Sequence, residues 1–229
     1  RRSSDLAMGL AAYFAQNQMY YGDEEALDFT TTFFMTLNYY SIKSSMRIAK
    51  ERHETFYEFE KSTYANGAYF DKYINNDWQP KTQKVAQAFA PHHLPTKNDW
   101  LTLKDDVAKY GMYHAYRHAI APTGSISYVN DTTATLLPIV NKIEERQEGM
   151  IGKVYYPAPG LSDETMPYYV SAYDTDMRKV IDVYAAAQEH IDQGMALTLF
   201  MRSTLSDKLY EWKKGRTDKM TTREIGRAS

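Results

Sequence analysis

Three short strand-like runs, Ala119–Pro122, Lys153–Tyr156 and Ala196–Met201, stand among segments of helical periodicity and limit what this chain can fold into. Each is too short for a helix. Ala196-Leu197-Thr198-Leu199-Phe200-Met201 is apolar on both faces, as a strand covered on both sides is. Three buried strands linked by helices cannot close a barrel; they need neighbouring strands. The pattern therefore predicts a helix-rich α/β piece of a larger structure. No internal repeat or low-complexity linker divides it, so residues 1–229 read as a single-domain fragment.

The helices are marked by periodicity and by their ends. Arg1 to Asp5 reads as a solvated lead-in or a cap. Leu6 to Tyr21 carries Leu6, Leu10, Tyr13 and Phe14 at helical spacing and closes at Gly22. Asp23 caps a long second helix with Glu24 and Glu25 in its first turn. Its start is apolar on two faces and its end, Lys43 to His53, is charged, which predicts burial at one end and emergence at the other. Thr55–Gly67 reads as a loop, Tyr69–Ile74 and Lys81–Ala90 as short helices. Thr96 with Asp99 forms a capping box before a helix faced by Trp100, Leu103, Val107 and Tyr110 and ended by Gly111. Asn130–Thr135 is rich in turn formers, Ile139–Arg146 is short and mixed, and Gly149–Gly152 is a turn. Ser162-Asp163-Glu164 caps a short helix. Val180, Tyr184, Ala187 and Ile191 mark an amphipathic helix ended by Gly194, and Leu205–Gly215 a last short helix or loop.

Composition excludes several classes of function. The chain has no cysteine, which removes disulfides, thiolate metal sites and thiol catalysis. A formal net charge of −2 argues against nucleic-acid binding. No run is long and apolar enough to span a bilayer and no signal-peptide core opens the chain, so a cytoplasmic location is expected. The 20 tyrosines point to half-buried surfaces, because each ring packs while its hydroxyl seeks a partner.

Candidate chemistry centres on Ala119-Ile120-Ala121-Pro122-Thr123-Gly124-Ser125-Ile126-Ser127-Tyr128-Val129, an apolar run, a tight turn and a helix start. Such a turn leaves backbone N–H groups free at the positive end of a helix, which suits an anion such as phosphate. Gly124 lets backbone approach that anion, and the Thr123 and Ser125 hydroxyls can donate. The other clusters carry less. His114 and His118 have a metal-compatible spacing but no accompanying acid, and Gly111 interrupts the helix before them, so no metal site is expected. Ser125 and Ser127 lack the Gly-x-Ser-x-Gly elbow of a nucleophile. Glu144-Glu145 and Asp105-Asp106 read as solvated charges, and Lys213, Lys214, Arg216 and Lys219 as a charged loop. The doubled tyrosines at 20–21, 39–40, 155–156 and 168–169 read as packing residues.

The turn from Ala121 to Val129 resembles the substrate-phosphate turn of the large (alpha) subunits of ribonucleoside-diphosphate reductases of the class Ib type. So do Tyr20–Thr30, Phe59–Asp71, Glu148–Pro159 and Asp192–Phe200, in the family's order. The resemblance departs at Ser3–Ala7, which lacks the family's Gly-Leu-Gly pattern, and at Ile225–Ser229. It implies the C-terminal part of a ten-stranded α/β barrel that reduces ribonucleoside diphosphates to deoxyribonucleoside diphosphates for DNA synthesis. Pro122, Thr123, Gly124, Ser125 and Ile126 are then the diphosphate-binding residues. It further implies that the radical and reducing cysteines lie outside this chain, so the isolated chain holds no catalytic residue and is expected to be inactive. A separate small (beta) subunit would bring the metal-radical cofactor. The remainder of the large subunit and a further copy of the chain are the other expected partners. Two readings stand beside this one: a non-catalytic assembly fragment that associates with the N-terminal part of a split or truncated subunit, and a stand-alone phosphate-binding module.

Overall fold

The structure is a computed structural model that describes residues 2–5, 7–149 and 152–200. Their contacts fall into two compact units. The first holds residues 2–5, 28–118 and 190–193; the second holds the described residues among 6–27, 119–189 and 194–229.

The first unit is built on α2, Glu24–Arg52, of which residues from Asp28 onward belong to it. Its buried stripe continues through Ile42, Met46 and Ala49. The helix is therefore amphipathic almost to its end rather than emergent after Lys43, because the charges at Lys43, Arg47 and Lys50 occupy the opposite face. Onto that stripe pack the short helix α3, Asp71–Asn75, and the longer α5, Lys97–Tyr110, while α4, Gln83–Phe89, meets α2 near its start, where the Phe89 ring lies 5.5 Å from that of Phe29. Phe59, Phe70, Tyr73, Trp100 and Val107 close the core. The Thr96–Asp99 capping box forms as expected, with both reciprocal bonds in place. Gly111 ends α5 at φ +76°, and a Cβ there would meet the Thr55 methyl at 2.3 Å. Asp28 fixes the start of α4: its carboxylate accepts from the N–H groups of Lys81 and Thr82 and from the Thr82 hydroxyl at 2.8–3.1 Å.

Arg2–Asp5, expected as a lead-in, is strand β1, paired in parallel with β2, Tyr116–His118. Pairing with a segment more than a hundred residues away supplies what local propensity does not. Behind β2 lies a buried polar network. Arg117, 2% exposed, donates to Asn38 Oδ1 and the Tyr64 hydroxyl at 2.9 Å and to Ser41 Oγ at 3.1 Å. Its counter-charge is Asp192 at 3.3 Å, whose carboxylate also accepts from the backbone N–H groups of Arg117 and His118. Burial works against the guanidinium charge, but Tyr64, Tyr69 and Asp192 more than offset it and hold the pKa above the ordinary arginine value.

The second unit contains α1, Leu10–Gln16, α6, Gly124–Val129, and α7, Met177–Gln188. It also holds the antiparallel hairpin of β3, Ile143–Glu148, and β4, Gly152–Pro157. The helix expected over Leu6–Tyr21 is confined to Leu10–Gln16, and α7 stops at Gln188, short of Gly194. The expected strand at Lys153–Tyr156 is present, but its residues alternate between half-buried and exposed, so it is not buried on both faces. Its partner β3 has few apolar residues, which hid it in the sequence. Ala119–Pro122 and Ala196–Phe200 form no extended strands. They touch through one parallel bridge, Ile120 with Met195, whose bonds run from Ile120 N–H to Gly194 O at 3.3 Å and from Ala196 N–H to Ile120 O at 2.7 Å. The expected elements at Leu205–Gly215 and Thr221–Ile225 lie outside the described residues. No helix among the described residues is long and apolar enough to cross a membrane.

Candidate functional site

The turn after Ile120 leads directly into α6. Thr123 precedes the helix, and its carbonyl accepts from Ser127 N–H at 3.0 Å. The amides of Gly124, Ser125 and Ile126 are thus first-turn N–H groups without an intrahelical acceptor. Pro122, Gly124, Ser125 and Ile126 are exposed, with Ile126 at 45%. Gly124 needs no left-handed backbone, and a Cβ placed on it would meet nothing within 4 Å. The space before the Gly124 backbone is open.

Thr123 is placed differently from its neighbours. It is buried, and its Oγ1 accepts from Thr135 N–H at 2.7 Å. Thr135 Oγ1 in turn accepts from Leu137 N–H and from the Tyr184 hydroxyl. Burial raises the Tyr184 pKa to about 12, so this hydroxyl remains a donor. Thr133 joins the same scaffold: its carbonyl accepts from Gly9 N–H at 2.8 Å and its Oγ1 from Ala12 N–H at 3.2 Å. The polar stretch 130–135, expected only as turn formers, therefore anchors the turn and α1 through buried threonines. Composition alone did not distinguish a solvated turn from a buried one.

Tyr128 fastens α6 from its far end. Its hydroxyl donates to Glu144 Oε2 at 2.5 Å, and the Arg146 guanidinium lies 3.9 Å over its ring and bonds to the hydroxyl. Burial, reinforced by Glu144, lifts the Tyr128 pKa to about 12, so the phenol keeps its proton. A helix of six residues does not hold itself together in water, so these anchors fix its orientation. Glu144 and Arg146 sit two apart on β3 and therefore share a face, a relation visible only once the strand is known.

Gly124, Ser127, Tyr128 and the hairpin line a cavity of about 390 Å³. Asp131, Glu144 and Glu145 line it too, against Arg146 alone, so its lining carries an excess of negative charge. His114 and His118, four apart in sequence, are not on one helix turn: His118 ends β2 and His114 precedes it. No group of three potential metal ligands occurs among the described residues.

The ribonucleotide reductase barrel-domain model matches residues 7–225. The chain belongs to that family. Among relatives, the ribonucleoside-diphosphate reductase subunit alpha of Bacillus subtilis (strain 168) is 52% identical over 202 residues, covering 88% of this chain and 29% of the relative. The NrdEB subunit alpha of the same organism is 51% identical over 201 residues, 88% of this chain and 18% of the relative. The Mycoplasma pneumoniae subunit alpha is 40% identical over 228 residues, 97% of this chain and 29% of the relative. The chain thus spans less than a third of the length of these relatives. The helix-rich α/β architecture is that of a partial ribonucleotide reductase barrel, and its family is an oxidoreductase one.

Proposed function

We propose that residues 1–229 form one portion of the catalytic barrel of a ribonucleoside-diphosphate reductase large subunit, an enzyme that makes deoxyribonucleoside diphosphates in the cytoplasm. The observation that carries this reading is the family match over nearly the whole chain, together with relatives named as alpha subunits at 40–52% identity. In this reading Pro122, Thr123, Gly124, Ser125 and Ile126 hold the substrate diphosphate. The anion sits on the exposed face of the turn, where the amides of 124–126 meet it, and not in the cavity whose carboxylates would repel it. Thr123 contributes through the scaffold, since its hydroxyl is engaged by Thr135. A helix end supplies about 0.3–1 kcal/mol toward an anion, enough to orient a substrate and not to bind it tightly.

The chemistry belongs to cysteines that this chain does not contain. The radical arrives from a small subunit carrying the metal-radical cofactor, and the rest of the large subunit completes the barrel. The isolated chain therefore turns over no nucleoside diphosphate.

The test is a chimera in which this segment replaces its counterpart in the Bacillus subtilis alpha subunit, assayed for CDP reduction with the cognate small subunit. A chimera active like its parent supports the barrel reading; a folded but inactive one overturns it. In the active chimera, Gly124→Val raises KM for CDP about ten-fold or more. The open space at Gly124 means the valine clashes with ligand and not with the chain. An unchanged KM removes the turn from the substrate site.

A further inference from the structure

Thr135 holds a backbone conformation that its own side chain disfavours. Its φ is +48°, in the left-handed region, where a β-branched residue is a rare outlier. Such strain persists only where the surroundings over-determine it, and it gathers where a group has to be kept in one place. Thr135 is 4% exposed, and its Oγ1 accepts from Leu137 N–H at 3.3 Å and from the Tyr184 hydroxyl at 3.4 Å. The next residue, Leu136, is buried as well, and its carbonyl accepts from the Tyr21 hydroxyl at 2.7 Å. The strained residue is thus clamped on both sides.

What this conformation delivers is one N–H, that of Thr135, placed 2.7 Å from Thr123 Oγ1. Thr123 is the N-cap residue of α6. A threonine at that position ordinarily turns its hydroxyl oxygen onto the second or third N–H of its own helix, here those of Ser125 or Ile126. Thr123 makes no such bond. Its oxygen is engaged instead by a donor twelve residues along the chain. Ser125 and Ile126 are exposed, so the N–H groups that a capping threonine would consume stay open to a ligand.

We propose that Thr135 is a positioning residue for the substrate diphosphate: its left-handed backbone, clamped by Leu137 and Tyr184, draws the Thr123 hydroxyl off the start of α6 and keeps the Ser125 and Ile126 N–H groups free for the anion. This role rests on the reading of Pro122–Ile126 as the diphosphate turn. Thr135 itself touches no ligand. When its backbone relaxes to negative φ, its N–H leaves Thr123, the Thr123 hydroxyl caps its own helix, and the diphosphate has to displace it. The diphosphate is the same in the substrate and the product of the reduction. Weakening its hold is therefore a loss of uniform binding, which raises KM and leaves kcat in place.

Two substitutions separate this role from packing. Thr135→Val and Thr135→Gly both delete the hydroxyl. Valine keeps the shape but does not hold a left-handed backbone without those bonds, whereas glycine leaves a void but adopts that backbone freely. Positioning makes valine the harmful change; packing makes it glycine. In the chimera with the Bacillus subtilis alpha subunit, Thr135→Val is expected to raise KM for CDP about ten-fold, the equivalent of one competing hydrogen bond, with kcat within about two-fold. Thr135→Gly and Thr135→Ser are expected to stay within about three-fold of the parent KM. Amide hydrogen exchange of the full 229-residue chain reads the same step without substrate. Protection of the residue-135 N–H should fall about ten-fold in Thr135→Val and less than about three-fold in Thr135→Gly. If Thr135→Val does not fold, Tyr184→Phe takes its place. It should raise KM about three-fold beside Thr135 and not at all in the Thr135→Gly background, which needs no clamp.

A KM that rises more in Thr135→Gly than in Thr135→Val, or protection lost equally in both, overturns the proposal. So does a Tyr184→Phe effect that persists in the Thr135→Gly background. A KM unchanged by Thr135→Val but raised by Gly124→Val overturns this role and leaves the diphosphate reading standing. An inactive chimera, or a KM that Gly124→Val does not move, overturns that reading and this role with it.

Discussion

Replacing Asp192 by asparagine removes one charge and almost nothing else, which makes it the sharpest probe of the buried network behind β2. The carbonyl of the introduced amide can still accept from the Arg117 and His118 backbone N–H groups that the carboxylate now serves at 2.9–3.2 Å. Lost is the only carboxylate paired with Arg117 among the described residues. The Arg117 side chain is 2% exposed and that of Asp192 is 11% exposed. Removing one partner of such a pair leaves a buried charge uncompensated and costs about 3–5 kcal/mol. Against a typical domain stability of about 5–15 kcal/mol this is about a fifth or more of the whole. Urea unfolding followed by circular dichroism measures it, with the m-value checked for constancy. The double variant Arg117→Met with Asp192→Asn should recover part of the loss, because an apolar side chain of similar length needs no counter-charge. The coupling between the two positions should be about 1–3 kcal/mol. A cost below about 1 kcal/mol for Asp192→Asn, or additivity of the two single changes, refutes the claim that charge pairing holds this network.

Buried His190 makes stability depend on acid, because burial penalises its charged form. Its folded pKa of about 3 lies below the unfolded value of 6.5, so between those limits the unfolded chain binds more protons and stability falls as pH falls. By pH 5 the loss relative to pH 7 is about 2 kcal/mol. His190→Gln should show a pH 7 to pH 5 difference smaller by that amount in parallel urea titrations; identical slopes would show that His190 is not buried as described. Tyr128→Phe deletes the hydroxyl that joins α6 to Glu144 and Arg146, at a cost of about 0.5–1.5 kcal/mol. Hydrogen exchange of the α6 amides should quicken about five-fold in that variant, and unchanged exchange would mean that the hairpin does not hold the turn.

Much of the helical framework was legible because its signals are local. Thr96 and Asp99 announce the start of α5, Gly111 its end, and Trp100, Leu103 and Val107 its buried face. The hairpin turn near Gly149–Gly152 was legible for the same reason. The strands were not. β1 reads as solvated lead-in until Tyr116–His118 pairs with it, and β3, Ile-Glu-Glu-Arg-Gln-Glu, reads as surface charge until β4 lies beside it. Conversely, the apolar runs at 119–122 and 196–200 look like strands and yield a single bridge, because hydrophobic content specifies burial and not pairing.

The turn at Pro122–Ile126 divides along the same line. Its residue types, a proline, a glycine and two hydroxyl residues before a helix start, are sequence facts, and they carry the resemblance to a phosphate-holding segment without any coordinates. Which of the five face outward was decided by tertiary structure. Thr123 turns inward because Thr135, twelve residues away, supplies an N–H for its hydroxyl, while Gly124, Ser125 and Ile126 stay exposed. The charge of the adjoining cavity was decided there too, since Asp131, Glu144, Glu145 and Arg146 line it together only after the chain has folded. Local sequence sets backbone conformation and chemical type. Long-range contacts set which of those groups meet, because pairing and burial depend on partners that the local sequence does not contain.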